Sequence, residues 1–113
     1  MQDYATQFLG KTIDVIIDRP LGSKHPKHDY IYPINYGYVK GAKAPDGEEV
    51  DAYILGIDKP KKKCTGVCIA VIHRTDDDDD KLVVAQAGKD YSDDEIRKQT
   101  YFQEQYFKSE IIR

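Results

Sequence analysis

Carboxylates are the side chains of this sequence that stand nearest to chemistry. Asp46, Glu48, Glu49 and Asp51 crowd into PDGEEVD, and Asp76 to Asp80 form an unbroken run of five. Oxygen ligands of this kind suit hard divalent cations such as magnesium. Without a compensating cation, adjacent like charges repel one another and favour disorder. The first stretch also reads as an ordinary charged turn, since Asp46-Gly47 is a turn signal. Asp51 asks for more, because in a strand it shares a face with Tyr53 and Leu55. The second stretch also reads as a solvated loop, yet it is the tight link between IAVIH and KLVVA. Lys81 follows the run directly, and Tyr32, Asn35, Tyr36 and Tyr38 crowd into YPINYGY. An ammonium group and phenol hydroxyls can hold phosphoryl oxygens. The competing readings are a lysine paired with the acidic loop and tyrosines packed as a core layer. A metal-plus-anion site points to phosphoryl hydrolysis, in which cations hold the phosphate, lower the pKa of a water and stabilise the leaving oxygen.

The elements that must position these groups are mostly strands. Apolar alternation and β-branched residues predict strands at Lys11 to Asp18, Val50 to Ile57, Thr65 to Arg74 and Lys81 to Ala87. A basic turn runs from Arg19 to Asp29, an aromatic segment from Tyr30 to Tyr38, and a second basic turn from Asp58 to Lys63. The character changes after Tyr91. Ser92 followed by Glu95 is a capping box that opens a helix, with Asp93 and Asp94 at its positive end. Asp93 with Arg97 and Asp94 with Lys98 are expected i,i+4 pairs, and Ile96, Phe102, Tyr106 and Phe107 an apolar stripe. Short strands closed by one helix give a mainly β fold, a small barrel or α+β domain.

A chain of 113 residues with 40% hydrophobic content suits a single domain over residues 1–113 that buries its own core. No stretch approaches the roughly 18 to 20 apolar residues of a membrane span, and the amino end has no basic segment leading into an apolar one. The expected location is the cytoplasm. A net charge of −3, from 20 acidic and 17 basic residues, argues against a duplex nucleic-acid binder. Cys64 and Cys68 on one strand face would be about 13 Å apart, too far for a disulfide. They are expected as buried thiols, because His73 falls on the other face and no second cysteine pair exists to complete a zinc site.

YPINYGY, then DGEEVDAYILG, then RTDDDDDKLVV, with a closing helix ending in YFQEQYFK, resemble the soluble family I inorganic pyrophosphatases. The resemblance covers Asp14 to Lys108 and implies an OB-like five-stranded barrel with a C-terminal helix, magnesium or manganese as cofactor, frequent homo-oligomers, and hydrolysis of pyrophosphate to two phosphates. It further implies that Asp46, Asp51, Asp76 and Asp79 bind metal. Lys81 and Tyr36 would serve catalysis and phosphate binding, with Asp18 and Tyr106 at the substrate. Glu48 takes the place of the acid that accepts a proton from water. A glutamate there displaces the carboxylate by about an ångström, a shift that can cost about 10²-fold.

Departures from the family pattern concern the phosphate clamp. Asp18 and Tyr32 are 14 positions apart, where the family inserts a hairpin bearing a lysine and an arginine. Lys24, His25, Lys27 and His28 either replace these or hold a surface turn. Phe107 stands where a lysine is common, with Lys108 one further on. The rival readings are a non-catalytic, metal-stabilised binding or interaction domain, favoured if no cationic side chain lies within phosphate reach, and a hydrolase of another small phosphorylated substrate. A single-strand nucleic-acid role comes third, because acidic tips repel a phosphate backbone.

Overall fold

The computed structural model describes residues 4–45, 47–77 and 79–113. After a short 3-10 helix at Thr6–Phe8 come β1 (Thr12–Arg19), β2 (Asn35–Lys43), β3 (Glu49–Ile54), β4 (Lys63–Arg74), β5 (Lys81–Ala85), α1 (Asp93–Glu104) and β6 (Ser109–Ile112). The sheet runs β1-β2-β3-β5-β4-β6, and a further pairing of β1 with β4 closes five strands into a barrel with β6 added outside the ring. Twelve-residue β4 makes this possible. Its first half pairs with β1, its middle with β5 and its last residues with β6. All pairings are antiparallel except β3 with β5.

Strand alternation sorts the core into two layers. Val15, Val50, Ala52, Ile54, Val71 and Leu82 fill the barrel, whereas Tyr36, Tyr53, Leu55, Ile72, Val83 and Ile96 form a second cluster on the helix side. Both faces of β3 and β5 are therefore covered, which is why KLVVA is buried throughout. Helix α1 begins as its capping box requires, with Ser92 Oγ accepting from the Glu95 amide at 3.2 Å. Asp93, Asp94 and Glu95 lie in its first turn, where negative charge is favoured by the helix dipole.

The fold corrects several expectations. β2 reaches Lys43, well past the aromatic segment, and β6 continues the sheet after the helix. The expected i,i+4 pairs do not form among the described residues, because Arg97 reaches Ser109 and Asp93 is met by Arg113. Tyr106 and Phe107 lie beyond the end of α1 and so are not part of its apolar stripe. Cys68 is buried and Cys64 partly buried, both as free thiols; burial pushes the Cys68 thiol up to about 11.

Candidate active site

The parallel pairing of β3 with β5 is what assembles the site. Its register sets Asp51 beside Lys81, and the antiparallel β2–β3 register sets Tyr36 beside Tyr53, so these side chains leave the barrel on the helix side. Lys81 Nζ donates to Asp51 Oδ2 at 2.6 Å and to Asp79 Oδ2 at 2.7 Å. Tyr36 OH donates to the same Asp51 oxygen at 2.9 Å. Lys81 is almost wholly buried, and the two carboxylates keep about a third of their surface open. Burial, and then the nearby Asp51 charge, hold the Tyr36 hydroxyl well above its ordinary range, so it stays a neutral donor.

The YPINYGY motif is explained by packing at two of its positions. A β-carbon on Gly37 would collide with the Ile16 carbonyl across the β1–β2 pair, so only glycine admits that approach. Asn35 is completely buried and faces loops rather than the site. It accepts from the Leu21 and Lys61 amides at 2.9 and 3.2 Å and donates to the Lys59 carbonyl at 2.8 Å. These bonds fix where the chain leaves β1. A register shift between Ile17 and Arg19 then brings both Asp18 and Arg19 to the site, which strict alternation would forbid. Burial raises the Asp18 carboxyl above its usual range, with Arg19 opposing.

Arg74, at the end of β4, lies on the same face as Ile72. Its Nε and Nη2 donate to Glu104 at 3.1 and 2.7 Å, its Nη1 to Asp77 at 3.3 Å, and its guanidinium lies 3.6 Å over the Phe107 ring. Burial opposes the charge, but the Glu104 hydrogen bonds and charge outweigh it and hold the proton more tightly. Glu104 is itself fixed by Tyr53 OH at 2.6 Å, and Tyr53 accepts from Gln103 at 2.8 Å.

These groups line one cleft of about 570 Å³, which contains Asp18, Tyr36, Asp51, Asp79, Lys81 and Tyr106 from the expected set, together with Arg19 and Arg74. Glu48 lines an adjoining hollow with Asp18, Glu49, Asp51 and Asp79. The other expected residues are elsewhere. Lys24 pairs with Asp29 in solvent, Lys27 gives its amide to His25, and the Lys108 amide donates to Asp76; none of the four residues Lys24, Lys27, Asp76 and Lys108 lines the cleft. Asp46 lies outside the described residues, as does Asp78 in the acidic run.

The other four members of that run each have a protein partner: Asp76 the Lys108 amide, Asp77 Arg74, Asp79 Lys81, and the buried Asp80 His73 at 3.0 Å. Protein donors thus answer the repulsion among these four. No three His, Cys, Asp or Glu side chains among the described residues are grouped to hold a metal ion. The donor set still suits a hard cation in kind, because the hollow carries oxygen ligands only, five of them carboxylates. Arg19, Arg74, Gln103 and Glu104 were not singled out by sequence reasoning. Strand parity with Ile72 was the one available signal for Arg74.

The likeness in motifs is matched by comparison of the whole chain. The family model for inorganic pyrophosphatase matches residues 12–111. The fold is similar to solved inorganic pyrophosphatases from Ehrlichia chaffeensis (19% identity, 90% of this chain and 85% of that one, TM-score 0.69) and Helicobacter pylori (19%, 90% and 84%, 0.69). It is also similar to that of the Neisseria gonorrhoeae enzyme (22%, 81% and 71%, 0.60). Comparison with curated proteins finds no match. A family match over nearly the whole described barrel, on a chain whose strand register joins Asp51 to Lys81, places it: the chain belongs to the family I inorganic pyrophosphatases.

Proposed function

We propose that this protein is a magnesium-dependent hydrolase of inorganic pyrophosphate, acting in the cytoplasm. The observation that carries the reading is the Asp51–Lys81–Asp79 node, open to a cleft that also holds Arg19 and Arg74. Cationic side chains within reach of the acidic group favour an enzyme over a non-catalytic binding domain. A divalent cation held by Asp51 and Asp79, with Asp46 in the same PDGEEVD segment as Asp51, would neutralise phosphoryl charge and lower the pKa of the attacking water.

The chain's own groups divide the remaining work. An ammonium has three protons, and Lys81 commits two to Asp51 and Asp79, leaving one for a phosphoryl oxygen. Arg74 is held rigid by Glu104 and Phe107, so it can stabilise charge on the transferring group without reorganising. Tyr36 orients Asp51. Glu48, at the edge of the hollow, accepts the proton of the attacking water.

The test is direct: purified protein with magnesium should release phosphate from pyrophosphate, and chelation should abolish the release. Turnover that persists without divalent ion, or protein inert toward pyrophosphate across several cations and pH values, would overturn the reading.

A further inference from the structure

The cleft has two chemically different ends. One is the ionic end just described, and the other is aromatic. Half of the side chains lining the cleft carry rings, and five of these form a continuous row. Tyr36, bonded to Asp51, has its ring centroid 5.5 Å from Tyr32; Tyr32 is 5.8 Å from Tyr30, Tyr30 5.9 Å from His28, and His28 6.2 Å from Tyr106.

The inner rings of this row are core. Tyr32 and Tyr36 are buried, and Tyr30 and Tyr32 take the edge of Phe102. The outer pair is different, because His28 is exposed and Tyr106 keeps 63% of its surface in solvent while lining the cleft. Their rings lie within 19° of parallel. Core packing does not account for two exposed rings at the edge of a cavity.

The position of His28 is also constructed. His25 Nδ1 accepts from the amides of both Lys27 and His28, at 3.0 and 3.1 Å, so that nitrogen carries no proton and the turn fixes the His28 backbone. Lys24 and Lys27 do not line this end. This end offers π surface, with the Arg19 charge acting on His25 beside it, a pairing that suits a planar ring carrying phosphate.

We propose that the cleft accepts an organic diphosphate bearing a planar ring, of the nucleoside diphosphate kind, with the ring on His28 and Tyr106 and the diphosphate toward Lys81. A cleft of about 570 Å³ falls within the roughly 300–1,000 Å³ that take ligands of that size. The assignment rests on the phosphohydrolase reading above for its ionic end. Water attacks the terminal phosphorus, and the bond from that phosphorus to the bridging oxygen breaks. The electron pair stays on that oxygen, which departs as a nucleoside monophosphate, while the water oxygen remains on inorganic phosphate and one proton is released by way of Glu48.

The test compares kcat/KM for ADP, for methyl diphosphate, which has the same anhydride and no ring, and for pyrophosphate. It uses wild type, His28→Ala and His28→Phe, all with magnesium. Base–aromatic stacking predicts that ADP exceeds methyl diphosphate by about 5- to 150-fold in the wild type. That ratio should collapse toward one in His28→Ala and survive in His28→Phe. If pyrophosphate is hydrolysed while ADP does no better than methyl diphosphate, or if His28→Ala leaves the ratio intact, the substrate assignment is wrong and the pyrophosphatase reading stands. If none of the three is hydrolysed, the phosphohydrolase reading fails and this assignment with it.

Discussion

Lys81 and Arg74 show how differently two cations can be built into one cleft. Lys81 is a point charge that holds two carboxylates in place, whereas Arg74 is a planar fork committed to Glu104 and stacked on Phe107. Arg74→Lys keeps the charge and loses the fork and the stacking geometry. It should lower kcat/KM for pyrophosphate by about 10- to 100-fold, chiefly through kcat. A purely structural Arg74 would instead lower the melting temperature and leave the kinetics of the remaining folded protein unchanged. The meeting of Asp51 and Lys81 was legible in part, since strand parity singled out Asp51, and Lys81 directly follows the acidic run. Arg74 and Glu104 were not, because their pairing depends on how β4 meets a helix 30 positions away. The acidic run was misleading in another way: spacing exposes the repulsion but not the separate donors that answer it.

Elements were easier to read than their connections. Four strands and the helix start follow from alternation and the capping box, and their bounds moved by only a few residues. β6 was hidden, because SEII directly after a helix gives no turn signal and is a strand only through its pairing with β4. The parallel β3–β5 register was also beyond local pattern, although it creates the site. Asn35 is an element-level device that the motif string does not reveal. Its side chain ties the segments at Leu21 and at Lys59 and Lys61 to the start of β2. Asn35→Ala strands two amides and a carbonyl, and should destabilise the fold by about 2 kcal/mol or more, read from urea unfolding. A loss below about 0.5 kcal/mol would mean that the loops are held by other contacts.

At the scale of the molecule, the closed barrel leaves one side of β3 and β5 to be covered by α1, and the cleft opens where that cover ends. Five-stranded closure brings residues from β1, β2, β3, β4 and β5, and from the acidic link between β4 and β5, around one opening. No helix among the described residues is long and apolar enough to cross a membrane. The proposed function rests on the Asp51–Lys81–Asp79 node. Phosphate release from pyrophosphate at saturating magnesium, wild type against Asp51→Asn, tests it most directly, with circular dichroism to show that both are folded. An amide does not supply the charged oxygen that a hard cation and Lys81 require. Magnesium-dependent turnover by the wild type and a loss of about 10³-fold or more in Asp51→Asn are expected; a folded Asp51→Asn protein that turns over pyrophosphate at the wild-type rate would rule out this role for the node.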